Sequence, residues 1–98
     1  KIDAIIANND EMAIGAVLVL EEKKMKDKVV VTGVDATSDA LKFIEEGRLD
    51  MTVFQNGGAQ GRGAVQAALK MIKGEPVEKF VEIPFEPVTR ENYTKYKK

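Results

Sequence analysis

Asn9, Asp35 and Gln55 each stand just beyond a short apolar run, and their side-chain types fit one kind of chemistry. An amide both donates and accepts hydrogen bonds, and a carboxylate accepts strongly, often with charge assistance. Vicinal hydroxyls call for both kinds of partner, because each hydroxyl is one donor and two acceptor sites. The set holds no nucleophile, no imidazole and no thiol, which favours holding a polyol over transforming one. Each residue also has a plainer role open to it. Asn9 precedes the acidic pair Asp10-Glu11 and suits a helix N-cap, Asp35 before Ala36-Thr37-Ser38-Asp39 suits a second cap, and Gln55 suits a solvated loop. Convergence of all three on one sheet edge shifts the balance toward a site.

The remaining composition excludes other chemistries. With 98 residues the chain admits one small domain, residues 1–98. A domain of this size buries only about 60–65% of its unfolded surface, so its margin of stability is thin. Lys+Arg 15 against Asp+Glu 16, scattered in sign along the chain, gives no basic stripe for phosphate neutralisation, so nucleic acid is not an expected partner. Cys 0 and His 0 exclude a disulfide frame, a zinc ribbon and both Ser-His-Asp and Cys-His catalysis, and no metal or cofactor is expected. The longest apolar run, Met12 to Leu20, is broken by Gly15 and bounded by Glu11 and Glu21, short of the ~20 residues that cross a bilayer. The chain starts directly on a strand pattern rather than on a signal segment, which is how a piece of a longer protein reads.

The elements that must position the polar trio follow from hydrophobic pattern and punctuation. Ile2 to Ala7 reads as a buried strand halted by Asn8-Asn9-Asp10. A helix then runs from Asp10 to Lys23-Lys24, with acid at its positive end and apolar residues on most sides, as an interior helix would have. Val29 to Val34 is β-branched and continuous, the signature of a parallel strand buried on both faces, and it ends at Asp35. A second helix carries Leu41, Phe43 and Ile44 inward and stops at Gly47. Met51 to Phe54 is a third strand, Asn56-Gly57-Gly58 turns the chain, and a third helix runs from about Ala59 to Lys73 before Gly74 and Pro76. Phe80 to Val88 reads as a last strand confined to an edge by its two prolines, and Arg90 to Tyr96 as a short final helix. The sum is an α/β fold, a three-layer parallel sheet with flanking helices. In such sheets ligands bind outside the carboxyl ends of the strands, where Asn9, Asp35 and Gln55 fall.

Other features have structural explanations. Gly57-Gly58-Ala59-Gln60-Gly61-Arg62-Gly63 lacks the Rossmann spacing and any Gly-Lys-Ser/Thr, so Gly57-Gly58 reads as a crossing or hinge and Gly61 and Gly63 as close-packing positions. The lysines from Lys23 to Lys28 read as a solvated helix end, and Tyr93 and Tyr96 as packing for the tail.

Asn8-Asn9-Asp10-Glu11-Met12-Ala13, then Gly33-Val34-Asp35, then Phe54-Gln55-Asn56, with the tail Thr89-Arg90-Glu91-Asn92-Tyr93, resemble the C-terminal part of periplasmic sugar-binding proteins of the ribose, allose and galactose type. The resemblance runs over essentially the whole chain, and Val34 stands where such proteins commonly carry an aromatic residue. It implies a flavodoxin-like or Rossmann-like lobe, incomplete here, with sugar held by Asn9, Asp35 and Gln55 and a hinge crossing at Asn56, Gly57 and Gly58. It further implies a non-enzymatic binder of a monosaccharide, a ribose-like pentose being favoured, located in the periplasm or outside the cell. Its implied partners are a missing N-terminal lobe and an import permease or chemoreceptor. Without that lobe the chain is expected to bind sugar weakly and to self-associate through uncovered apolar surface.

Two rival readings stand beside this one. The same half-domain occurs as the effector-binding core of lac-repressor-type regulators, but Ala36-Thr37-Ser38-Asp39 after Asp35 suits the transport proteins better. A phosphoacceptor receiver domain requires a Lys at a strand end, and no strand here is followed by one.

Overall fold

The computed structural model describes residues 1–98 and divides into two compact units, Lys1–Gln55 with Glu86–Lys98, and Asn56–Phe85. The first unit contains β1 (Ala4–Ile6), α1 (Asp10–Glu22), a 3-10 turn at Lys26–Lys28, β2 (Val30–Thr32), α2 (Ser38–Glu45) and β3 (Thr52–Phe54). After the second unit the chain returns to add a further strand, Glu86–Val88, and a 3-10 turn at Tyr93–Tyr96.

β1 and β2 are parallel, with Ala4 opposite Val30 and Ile6 opposite Thr32. A parallel bridge between Thr32 and Met51 carries the sheet on to β3, reinforced by the Gly33 N–H donating to the Met51 carbonyl at 2.9 Å. The returning strand lies antiparallel to β3, with Thr52 opposite Val88 and Phe54 opposite Glu86. The last strand therefore differs from expectation in length and direction: it spans Glu86–Val88 rather than Phe80 to Val88, and it runs against the parallel strands. Pro84 and Pro87 supply no ladder donors, and Phe80 and Val81 remain exposed.

Right-handed crossovers stepping in one direction, β1 to β2 to β3, put α1 and α2 on the same face of the sheet. Val31 points into that face and is fully buried, whereas Val30 is half exposed on the other. The β2 run is thus buried on one face, not two. α1 likewise buries a single stripe, Ala13, Val17 and Leu20, and leaves Met12, Leu18 and Val19 about half exposed, so it is not the interior helix its composition suggested. α2 contributes Ala40, Leu41 and Ile44 to the same core and ends at Gly47, whose φ of +75 suits glycine. Outside the core, Arg48 grips Glu21 with two bonds of 2.9 and 2.8 Å and lies 4.0 Å from the centre of the Phe43 ring, tying α1 to the end of α2. In the tail the Tyr96 ring sits 5.0 Å from that of Phe54, the packing role expected of it.

The second unit is α3 (Gly57–Ile72), capped by Asn56, followed by Gly74 at φ +72 and a segment without regular structure to Phe85. α3 starts at Gly57 rather than Ala59, so Gly57 and Gly58 form its first turn instead of preceding it. It buries no residue completely, and Val65, Leu69 and Ile72 are exposed along it.

Candidate functional site

Two backbone bonds place the candidate residues on one edge. The Asp10 N–H donates to the Val34 carbonyl at 2.9 Å, and the Asp35 N–H donates to the Val53 carbonyl at 2.8 Å. The segments carrying Asn9, Asp35 and Gln55 therefore lie side by side at the carboxyl ends of β1, β2 and β3. The Gln55 amide donates to Asp35 Oδ1 at 2.9 Å, so Gln55 is not a free loop side chain. Asp35 does not cap α2, because Thr37 Oγ1 takes that role, accepting from the Ala40 N–H at 3.2 Å. Asn9 does cap α1: its Oδ1 accepts from the Met12 N–H at 3.0 Å. That cap engages the oxygen alone and leaves the Nδ2 donors available, so capping and ligand contact are compatible in one side chain.

The residue that sequence reading missed is Asp10. It looked like ordinary first-turn acid, yet it is 1% exposed, beneath the edge rather than on it. Its Oδ2 accepts from the Thr37 N–H at 2.8 Å, and its Oδ1 accepts from the Thr52 hydroxyl at 2.6 Å. Thr52 Oγ1 in turn accepts from the Ala36 N–H at 3.2 Å. These bonds hold a turn in which Asp35 has φ +119 and Ala36 φ +53, conformations that cost a non-glycine residue about 1–3 kcal/mol each. Gly33 makes room for them, since a Cβ there would collide with Asp10 Oδ1. A lone glycine within a β-branched run was the one signal of such a close approach available in the sequence.

The arrangement offers donors from Asn9 and acceptors from Asp35 and Gln55, with no group of His, Cys, Asp and Glu that could hold a metal ion. The polar trio, with Asp35 exposed and Asn9 and Gln55 partly buried, lies on the edge of a parallel α/β sheet where ligands commonly bind, above the buried Asp10 and Thr52. The periplasmic binding protein domain family matches residues 1–76, and the chain belongs to that family. It is 50% identical over 97 residues to a protein of Rhizobium meliloti named for rhizopine binding, covering 98% of this chain and 31% of that one. It is 39% identical over 77 residues to the ribose import binding protein of Escherichia coli, covering 79% of this chain and 26% of that one. Among solved structures, an ABC transporter solute binding protein from Bacillus halodurans with bound myo-inositol is similar at 50% identity and a TM-score of 0.81, covering 98% of this chain and 33% of that one. The chain thus spans no more than 33% of the length of any of these three relatives.

Proposed function

We propose that this chain forms the ligand-holding part of the C-terminal lobe of a binding protein for import of a monosaccharide or similar ring polyol. The observation that carries the reading is the trio Asn9, Asp35 and Gln55, with Asp35 and Gln55 already joined at 2.9 Å. A ribose-like pentose fits the residue set, and the myo-inositol held by the 50% identical structure makes that cyclitol an equal candidate. Import is preferred over the regulator reading because the E. coli relative is an import protein and Ala36-Thr37-Ser38-Asp39 follows Asp35. On this reading the protein works in the periplasm or outside the cell, beside a second lobe and an import permease or chemoreceptor. The hinge crossing falls at Asn56, Gly57 and Gly58, where the first compact unit gives way to the second.

Three contacts without enclosure set the affinity. A hydrogen bond to a charged group contributes about 1.5–3 kcal/mol and a neutral one about 1 kcal/mol. After the cost of association, this leaves roughly −4 kcal/mol, or about millimolar binding. Titrating the 15N-labelled chain with ribose and with myo-inositol should move the resonances of Asn9, Asp35 and Gln55 with a millimolar midpoint. No movement with either polyol would overturn the site, and micromolar binding would overturn the argument from enclosure.

A further inference from the structure

We propose that Asp10 is a positioning residue, whose buried carboxylate holds the Asp35-Ala36 turn so that the Asp35 carboxylate faces ligand. The inference rests on the polyol-binding reading and goes one step below it, from the contacts to what aims them. The turn does not hold itself, because Asp35 and Ala36 both have positive φ without being glycine. Four polar backbone groups in and beside it are tied from outside. The Val34 carbonyl accepts from the Asp10 N–H, the Asp35 N–H donates to Val53, the Ala36 N–H donates to Thr52 Oγ1, and the Thr37 N–H donates to Asp10 Oδ2. Two of these partners are Asp10 itself, and a third is a hydroxyl anchored on Asp10 Oδ1.

Thr52 Oγ1 accepts from the Ala36 N–H and its hydroxyl donates to Asp10 Oδ1, while Oδ2 accepts from the Thr37 N–H. Both oxygens accept with the strength of a charged acceptor, whereas an asparagine with its Oδ1 on the Thr37 N–H would have to reverse the Thr52 bond and lose the charge. Helix capping does not explain the residue, because Asn9 caps α1. Asp10 follows Asn9 directly and reaches the loops after β2 and into β3, so one side chain sets the relative places of all three candidate contacts.

The test compares the unsubstituted chain with Asp10→Asn, Thr52→Val and Thr52→Ser. It reads amide exchange by residue together with titrations of myo-inositol and ribose. Asp10→Asn and Thr52→Val should each cut protection of the Ala36 amide and weaken polyol binding roughly tenfold, the scale of one lost hydrogen bond to a charged group. The core amides of Val17 and Ile44 should keep their protection, and Thr52→Ser should restore both readouts. Core and turn protection falling together would overturn the proposal in favour of general stabilisation. Local loss at Ala36 with undiminished binding would overturn it as well. If the unsubstituted chain binds neither polyol, the binding reading fails separately. The positioning claim is then decided by the Gln55 side-chain amide resonance, which must shift in Asp10→Asn if the turn aims Asp35.

Discussion

Adding one methyl group at Gly33 should unfold much of what the same methyl at Gly15 would strengthen. A Cβ at Gly33 would occupy the place of Asp10 Oδ1 and lie 3.0 Å from Asp10 Cα and 3.1 Å from Ala13 Cβ. Two of those three atoms belong to the first turn of α1 and cannot swing away, so relief requires α1 to move off β2. Overpacking of this kind costs about 1–3 kcal/mol. Displacing Asp10 also breaks its 2.6 Å bond to Thr52 and leaves a buried acceptor unpaired, a further loss of about 1–3 kcal/mol. A small domain has only about 5–15 kcal/mol in total. At about 4–8 °C per kcal/mol for this size, Gly33→Ala should lower Tm by at least about 10 °C.

Gly15 lies inside α1, and a Cβ added there would meet nothing within 4 Å, so Gly15→Ala should gain the alanine helix preference. That preference is worth about 0.8–1 kcal/mol, or a Tm rise of several degrees. Both variants are compared with the parent by thermal and urea unfolding followed by far-ultraviolet circular dichroism, at one low concentration and with m-values checked. A neutral Gly33→Ala, or two shifts of the same sign, would refute the account of how Asp10 is housed.

Arg48 hydrogen-bonds Glu21 and adds a favourable charge, holding its carboxyl below the usual glutamate range; this bridge stabilises the fold above about pH 4.3 and is lost as pH falls through that range to the lowered folded-state value. Arg48→Met should therefore flatten the acid limb of the urea-midpoint profile, and an unchanged limb would refute the linkage. Ile2, Ile6 and Val30 expose apolar surface beside the unpaired outer edge of β1, so sedimentation should show mass rising with concentration and Ile6→Lys should reduce it. A single monomeric species at high concentration would count against self-association.

Element order and the strand-end residues were legible in the sequence because local signals and long-range packing agree there. Asn8-Asn9 stops β1, Gly47 stops α2 and Gly74 stops α3 for reasons contained within a few residues. What failed was inference about cover. Continuous apolar runs in β2 and α1 report that surface can be buried, not that this chain supplies the partner, and Val30, Leu18 and Val19 remain about half exposed. The returning strand failed for a different reason. Alternation in Phe80 to Ile83 looks like a strand, but the residues that pair are Glu86–Val88, set by a long-range match to β3. The Asp10 knot was illegible because an acid at a helix start has a sufficient local explanation, while its actual partners, Thr37 and Thr52, are distant in sequence.

The division of labour between buried and exposed polar groups bears on where affinity would arise. Asp10 and Thr52 are buried, and the turn at Asp35 and Ala36 is held by their hydrogen bonds to the Ala36 and Thr37 N–H groups. A site ordered in advance loses little freedom on binding. Asp35, by contrast, is exposed, so water competes for its acceptors and screens its charge. On the proposed reading, a second lobe would therefore tighten binding by removing water from a trio already in place, not by assembling it. The isolated chain and the whole protein should then share the same contacts and differ in how dry those contacts are.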